Sequence, residues 1–116
     1  MPHIIVEYSK GLRSEFHLHS MLEDLHESIS GLHGVTKDRI KTRAHKTDDY
    51  LVGDHGKWAE MIHINLKLAP GRTDEQKTEL AQILHKVASK YIAEDSYANR
   101  SLTVEVSELH GPSYQP

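Results

Sequence analysis

The chain has no cysteine, and only one Phe and one Trp among its 116 residues. Without thiols it has no disulfide framework, no thiolate nucleophile and no Cys-based metal site, and a reducing cytoplasm fits. Scarce aromatics leave Ile, Leu and Val to fill the core. A chain of this length is expected to form one domain, residues 1–116, on the small side for a self-sufficient core. Burial of further surface between subunits is therefore expected to add stability. Also missing is any surplus of one charge: 14 Lys and Arg stand against 17 Asp and Glu, a net −3. That excludes the basic footprint that nucleic acids or anionic membranes require. No apolar stretch is long enough to span a bilayer, and no charged-then-apolar leader opens the chain.

What is present is alternation. Ile4, Val6 and Tyr8 share one face of a first strand, with His3, Ile5 and Glu7 on the other. The clearest strand runs from Met61 to Leu68, where Ile62, Ile64, Leu66 and Leu68 alternate with Met61, His63, Asn65 and Lys67. A third runs through Leu102, Val104 and Val106, a weaker one covers Ile40 to His45, and a short extended piece is expected near Tyr50 to Val52. The Asp/Gly-rich segment around residues 48–58 carries turn chemistry. Two helices are predicted. One is expected to start at a capping box, Ser20 to Glu23, carry Leu22, Leu25, Ile29 and Leu32, and end at Gly31 or Gly34. The other starts at Thr73 to Gln76, again a capping box, buries Leu80, Ile83, Leu84, Val87 and Tyr91, and frays near Asp95.

The order strand–helix–strand occurs twice. A shift of 60 places His3 on His63, Val6 on Leu66 and Gly11 on Gly71, and a shift of 58 places Leu22, Leu25 and Ile29 on Leu80, Ile83 and Val87. The expected fold is α/β in two layers (α+β). Duplicated β-α-β units, about 1–57 and 58–116, form a four-stranded mixed sheet with both helices on one face. The other sheet face, with Ile5 and Met61 among polar residues, is left open for oligomerisation.

Two places carry chemistry. Pro2 follows the initiator Met, which aminopeptidases generally remove before so small a residue. A free proline amine is a secondary amine titrating near neutrality, and an apolar setting or nearby cations lower its pKa further. Later, the strand ending at Pro70-Gly71 delivers Arg72 beside the free amides of a helix N-terminus, and both attract a carboxylate. Ten histidines invite a metal reading. His17 and His19 share a side if extended, and His26 and His33 fall on one helix face. They lack a zinc-type pattern, so hydrogen-bonded or solvated histidine is preferred and no metal is expected. His3 and His63, at equivalent repeat positions, read as inherited structure.

The segment Gly71-Arg72-Thr73-Asp74-Glu75-Gln76-Lys77 after a strand resembles the 4-oxalocrotonate tautomerase building block. With Pro2-His3-Ile4-Ile5-Val6-Glu7-Tyr8 at the front, nearly the whole chain resembles the 5-carboxymethyl-2-hydroxymuconate isomerase branch of the tautomerase superfamily. The resemblance implies an isomerase of aromatic-compound catabolism: a cytoplasmic homotrimer without cofactor or metal, with Pro2 as general base and acid. It implies that Arg72 engages a carboxylate-bearing dienol. The family's paired arginines correspond here to Lys41 and Arg43, with Arg39 two residues earlier and expected on the same strand face. Lys41 replaces a two-pronged donor with a point charge. Alternatives from other classes are a trimeric ligand-binding relative without turnover, or another proline-dependent activity such as keto–enol tautomerisation, decarboxylation or dehalogenation.

Overall fold

A computed structural model of the protein describes residues 2–12, 17–54, 59–92 and 99–116. Part of the Asp/Gly-rich turn, at 55–58, and the fraying expected near Asp95 lie outside the described residues. Alternation produces the strands as expected. β1 (His3–Ser9) buries Ile4 and Val6 and sets Tyr8 against the core. α1 (Leu18–Ile29) follows, then β2 (Lys41–Thr47), whose Ala44 alone joins the core cluster. β3 (Ala59–Leu68) buries Ile62, Ile64, Leu66 and Leu68. α2 (Asp74–Ile92) and β4 (Asn99–Glu108) complete the chain, with Leu102, Val104 and Val106 packed against the same core.

The sheet order is β2-β1-β3-β4. β1 pairs parallel with β2 and β3 parallel with β4, each across a helix, because parallel neighbours need a long crossover connection. β1 and β3 pair antiparallel in the centre, with His3 opposite Lys67 and Tyr8 opposite Ile62. Met21, Leu25 and Ile29 from α1, and Leu80, Leu84, Ala88 and Ile92 from α2, enter one cluster with the inward strand residues. Both helices therefore cover one sheet face and leave the other without a helix. At about 25 cal/mol per Å² of apolar area, this shared seam is the main force holding the two β-α-β halves together.

The helix starts differ from each other in their physics. At α2 the capping box forms: the Thr73 amide donates to Gln76 Oε1 at 3.0 Å and the Gln76 amide to Thr73 Oγ1 at 3.1 Å. At α1 the expected box does not. The helix begins at Leu18, His17 is the cap without a side-chain bond, and Ser20 lies inside the helix. Leu18 packs on the core, so tertiary contact extends the helix past the local signal. α1 ends at Ile29, earlier than Leu32, and Gly31 (φ +80°) and Gly34 (φ +81°) turn the chain in the left-handed region. His33 (φ +47°) leaves the helix, so it does not share a helical face with His26. Residues 50–52 form no strand.

Candidate active site

β1 and β2 both begin at one end of the sheet, and β3 and β4 both end there. Pro2 is buried at that end, and its carbonyl accepts the Lys41 amide at 3.0 Å. Because β3 runs antiparallel to β1, the turn after Leu68 brings Arg72 to the end where Pro2 lies. The chain beyond β4 follows, with the Leu109 amide bonded to the Leu68 carbonyl at 2.7 Å. Pro2, Lys41 and Arg72, separated by dozens of residues in sequence, thus share one pole of the molecule.

The open face gives this pole its charge. Lys41, His3, Lys67 and Ser107 lie in one row across the sheet, and Arg43, Ile5, Asn65 and Glu105 in the next. The repeat-related neighbourhood of His63 is of opposite sign: Glu7 and Thr103 flank it where Lys67 and Lys41 flank His3. His63 pairs with Glu105 at 3.0 Å and Thr103 at 2.6 Å, and this contact holds the Glu105 carboxyl below its ordinary pKa. The two equivalent histidines thus have different neighbours, lysines beside His3 and a carboxylate beside His63, and only the first setting favours a bound carboxylate.

Arg39 departs from expectation. It ends a short 3-10 turn, Lys37–Arg39, with its amide bonded to the Thr36 carbonyl at 2.9 Å, and the strand starts only at Lys41. Ile40, 7 % exposed, plugs the core between them and forces the turn. Lys41 and Arg43 share the open face; Arg39 is not on that strand. Arg72 approaches from the helix layer. Its Nε donates to the His33 carbonyl at 2.8 Å and its Nη1 to the Ala69 carbonyl at 3.5 Å. The His33 ring in turn meets Glu79 at 2.9 Å.

Side chains that sequence reasoning did not single out complete the pole. Lys67 was visible only as a polar alternation on its strand; the antiparallel register places it beside His3. The tail, which carries no periodic pattern, forms a 3-10 turn, Gly111–Ser113, and brings the Tyr114 hydroxyl within 2.9 Å of His3 Nε2. The two rings meet edge to face at 6.0 Å. Arg43 Nη1 lies 2.9 Å from His3 Nδ1. Burial, then the charges of Arg43 and Lys41, lower the His3 pKa from its ordinary value, with Lys67 and the chain's N-terminal charge adding to the effect.

At the opposite pole, Glu60 is buried and accepts from Ser9 Oγ and from the Tyr50 hydroxyl, 3.3 Å from Oε2. Burial and then the Glu60 charge raise the Tyr50 pKa. Two open cavities lie away from Pro2. One of about 540 Å³ is lined by Asp48, Asp49, Tyr50 and Leu51, and one of about 370 Å³ by Glu23, Asp24, His26, Glu27 and Lys37. Their acidic linings do not suit an anionic ligand. Among the described residues, no three His, Asp or Glu side chains gather as a metal-ligand group. Nor is any described helix long and apolar enough to cross a membrane.

Comparison with known proteins matches residues 2–115 to the family model described as 5-carboxymethyl-2-hydroxymuconate isomerase. A 5-carboxymethyl-2-hydroxymuconate Delta-isomerase of Escherichia coli is 25 % identical over 111 residues, covering 95 % of this chain and 88 % of that protein. Among solved structures, a 5-carboxymethyl-2-hydroxymuconate isomerase from Deinococcus radiodurans R1 superposes with a TM-score of 0.89 at 24 % identity. It covers 99 % of this chain and 87 % of its own. A fused 4-OT described as a symmetric trimer reaches 0.70 at 19 % identity, covering 92 % and 85 %. These similarities share the duplicated β-α-β sheet described above.

Proposed function

The chain belongs to the 5-carboxymethyl-2-hydroxymuconate isomerase family, and from that premise we propose that it is a proline-dependent isomerase of a carboxylate-bearing dienol. An isomerase or tautomerase function is what the family match and the fold support. The finer reading rests on one observation: buried Pro2 lies at the single sheet pole where Lys41, Arg43, Lys67 and Arg72 collect. The substrate is a small conjugated dienol such as 5-carboxymethyl-2-hydroxymuconate, from the breakdown of aromatic compounds in the cytoplasm.

Removal of Met1 exposes the Pro2 amine. In its neutral form that nitrogen takes the enol proton as the dienol becomes a dienolate, and the resulting ammonium returns a proton to a distant carbon of the conjugated system. The proton count balances without a co-reactant. One group acting as base and then as acid works best with a pKa near the working pH. The surrounding cations favour the neutral amine and so depress its pKa. Arg43 and Arg72, as two-pronged donors, and Lys41, as a point charge, hold the carboxylates and stabilise dienolate charge. Arg39, off the strand, contributes to the positive field at that end. A homotrimer is proposed, in which neighbouring copies cover the open sheet face and close the site; the symmetric trimer of the fused 4-OT relative supports it.

The test is incubation of Met-free protein, verified by intact mass, with 5-carboxymethyl-2-hydroxymuconate while following dienol and enone absorbance. Pro2→Ala is expected to slow turnover about 100-fold, the lower part of the range for general acid–base catalysis, with the fold intact. Turnover unaltered by the substitution rejects Pro2. Absence of turnover in the wild type rejects the dienol.

A further inference from the structure

The C-terminal tail is built into the cationic pole. Gly111 sits where an added Cβ would lie 3.6 Å from Pro70 Cγ, so the tail turn rests on the turn that carries Arg72. The Tyr114 amide bonds the His110 carbonyl at 3.0 Å, and His110 Nδ1 meets Ser113 Oγ at 2.7 Å, which fixes where the Tyr114 ring projects. That ring ends on His3, the immediate chain neighbour of Pro2.

The contacts of His3 select one protonation form. A guanidinium can only donate, so His3 Nδ1, 2.9 Å from Arg43 Nη1, must be the accepting, unprotonated nitrogen. The proton of the neutral ring then sits on Nε2 and donates to the Tyr114 oxygen at 2.9 Å. The other neutral tautomer would point an N–H at Arg43, and the imidazolium would oppose its charge. Arg43 is exposed and long, so its fork has many rotamers to lose when it is held.

Resting on the proposed isomerase reading, we propose that Tyr114 and His3 are positioning residues. In this relay the tail hydroxyl locks the Nε2–H tautomer of His3, and His3 Nδ1 aims the Arg43 fork at the substrate carboxylate beside Pro2. The groups facing His3 are Lys41 and Arg43 on β2, Lys67 on β3, Tyr114 on the tail and, once Met1 is removed, the amine of its chain neighbour Pro2. The three side-chain cations all oppose its protonation, so the relay holds at neutral pH and opens on acidification, when the imidazolium repels Arg43. Substrate capture then weakens at low pH, a rise in KM separate from the loss of kcat that protonation of the Pro2 amine brings.

The experiment combines steady-state kinetics with ¹⁵N NMR of the histidine rings in full-length, Met-free protein, using 5-carboxymethyl-2-hydroxymuconate as substrate. In the wild type, His3 (assigned by its loss in His3→Asn) is expected to show an unprotonated Nδ1 and a protonated Nε2. Tyr114→Phe is expected to mix the tautomers and raise KM about five-fold with little change in kcat, the size of one lost hydrogen bond to a charged group's partner. His3→Asn presents an oxygen near the place of Nδ1 but cannot titrate, so the rise of KM on acidification should flatten. A wild-type His3 protonated on Nδ1, or Tyr114→Phe with wild-type KM and tautomer, overturns the relay while leaving the isomerase reading standing. Absence of wild-type turnover rejects that reading instead, and the NMR arm still decides the tautomer lock.

Discussion

Gly11 is expected to be among the costliest positions in the chain to change, although its backbone does not demand glycine. A Cβ built there would overlap Glu60 Oε1 and lie 2.7 Å from its Cδ and 2.9 Å from Oε2. A carboxylate at the end of a flexible side chain normally moves aside. Glu60 is 9 % exposed and held by Ser9 Oγ and the Tyr50 hydroxyl, and Ser9 Oγ also accepts the Met61 amide at 3.0 Å. Displacing it gives up hydrogen bonds to a charged group, about 1.5–3 kcal/mol each, or forces overpacking of about 1–3 kcal/mol. Gly11→Ala should therefore destabilise by about 3 kcal/mol. For a domain of this size that corresponds to a fall in Tm of roughly 10 °C or more. Thermal and urea unfolding of both proteins at one subunit concentration measures it. The mechanism is checked by a cycle with Glu60→Ala: removing the carboxylate removes the overlap, so Gly11→Ala should cost little in that background. A full 3 kcal/mol loss without Glu60 would refute the steric argument.

Two further outcomes follow from the packing and the histidines. Leu66, fully buried in the centre of the sheet, should cost about 3 kcal/mol on Leu66→Ala, read from the urea midpoint; a loss below about 1 kcal/mol would mean the core seam is misassigned. Burial first, and nearby cations second, hold His3 and His26 below the ordinary histidine pKa, with His26 hydrogen-bonded to Thr42. The unfolded chain then binds more protons than the fold as pH falls below about 6.5, so stability from these groups is present above that pH and lost below it. Urea midpoints should decline between about pH 7 and 5, less so in His26→Gln; a midpoint rising over that interval would contradict the assignment.

The strands were legible because alternation is a local signal: Ile62 to Leu68 read the same on paper and in the fold. The Thr73–Gln76 cap was legible for the same reason. Ser20 looked equally good, yet Leu18 reaches the core and carries α1 one turn earlier, which only the folded partner surface can reveal. Arg39 was placed by counting residues in twos, and Ile40 broke the count by burying itself. At the candidate site, Pro2, Arg43 and Arg72 could be named from type and motif. Lys67 and Tyr114 could not, because their proximity to His3 depends on an antiparallel register and a tail turn that leave no periodic trace. The two matched glycines show the same limit. Gly71 is needed for its backbone (φ +123°) with open space around it, whereas Gly11 is needed for space.

The different neighbours of His3 and His63, at equivalent places in the two β-α-β halves, favour chemistry beside His3. Lys67 and Lys41 flank His3, while Glu7 and Thr103 flank His63. An amine beside these lysines is pushed toward its neutral, basic form, and an anion is drawn to it.

The most direct measurement is a ¹⁵N titration of the Pro2 nitrogen in proline-labelled protein whose mass shows Met1 removed. The expected result is a titrating secondary amine with a pKa below the ordinary α-amino range of about 7.7–8.0, coinciding with the acidic limb of the turnover profile, where activity falls as the base is protonated. An amine titrating above that range would mean that the lysines and arginines of this pole do not act on Pro2, and would contradict the account.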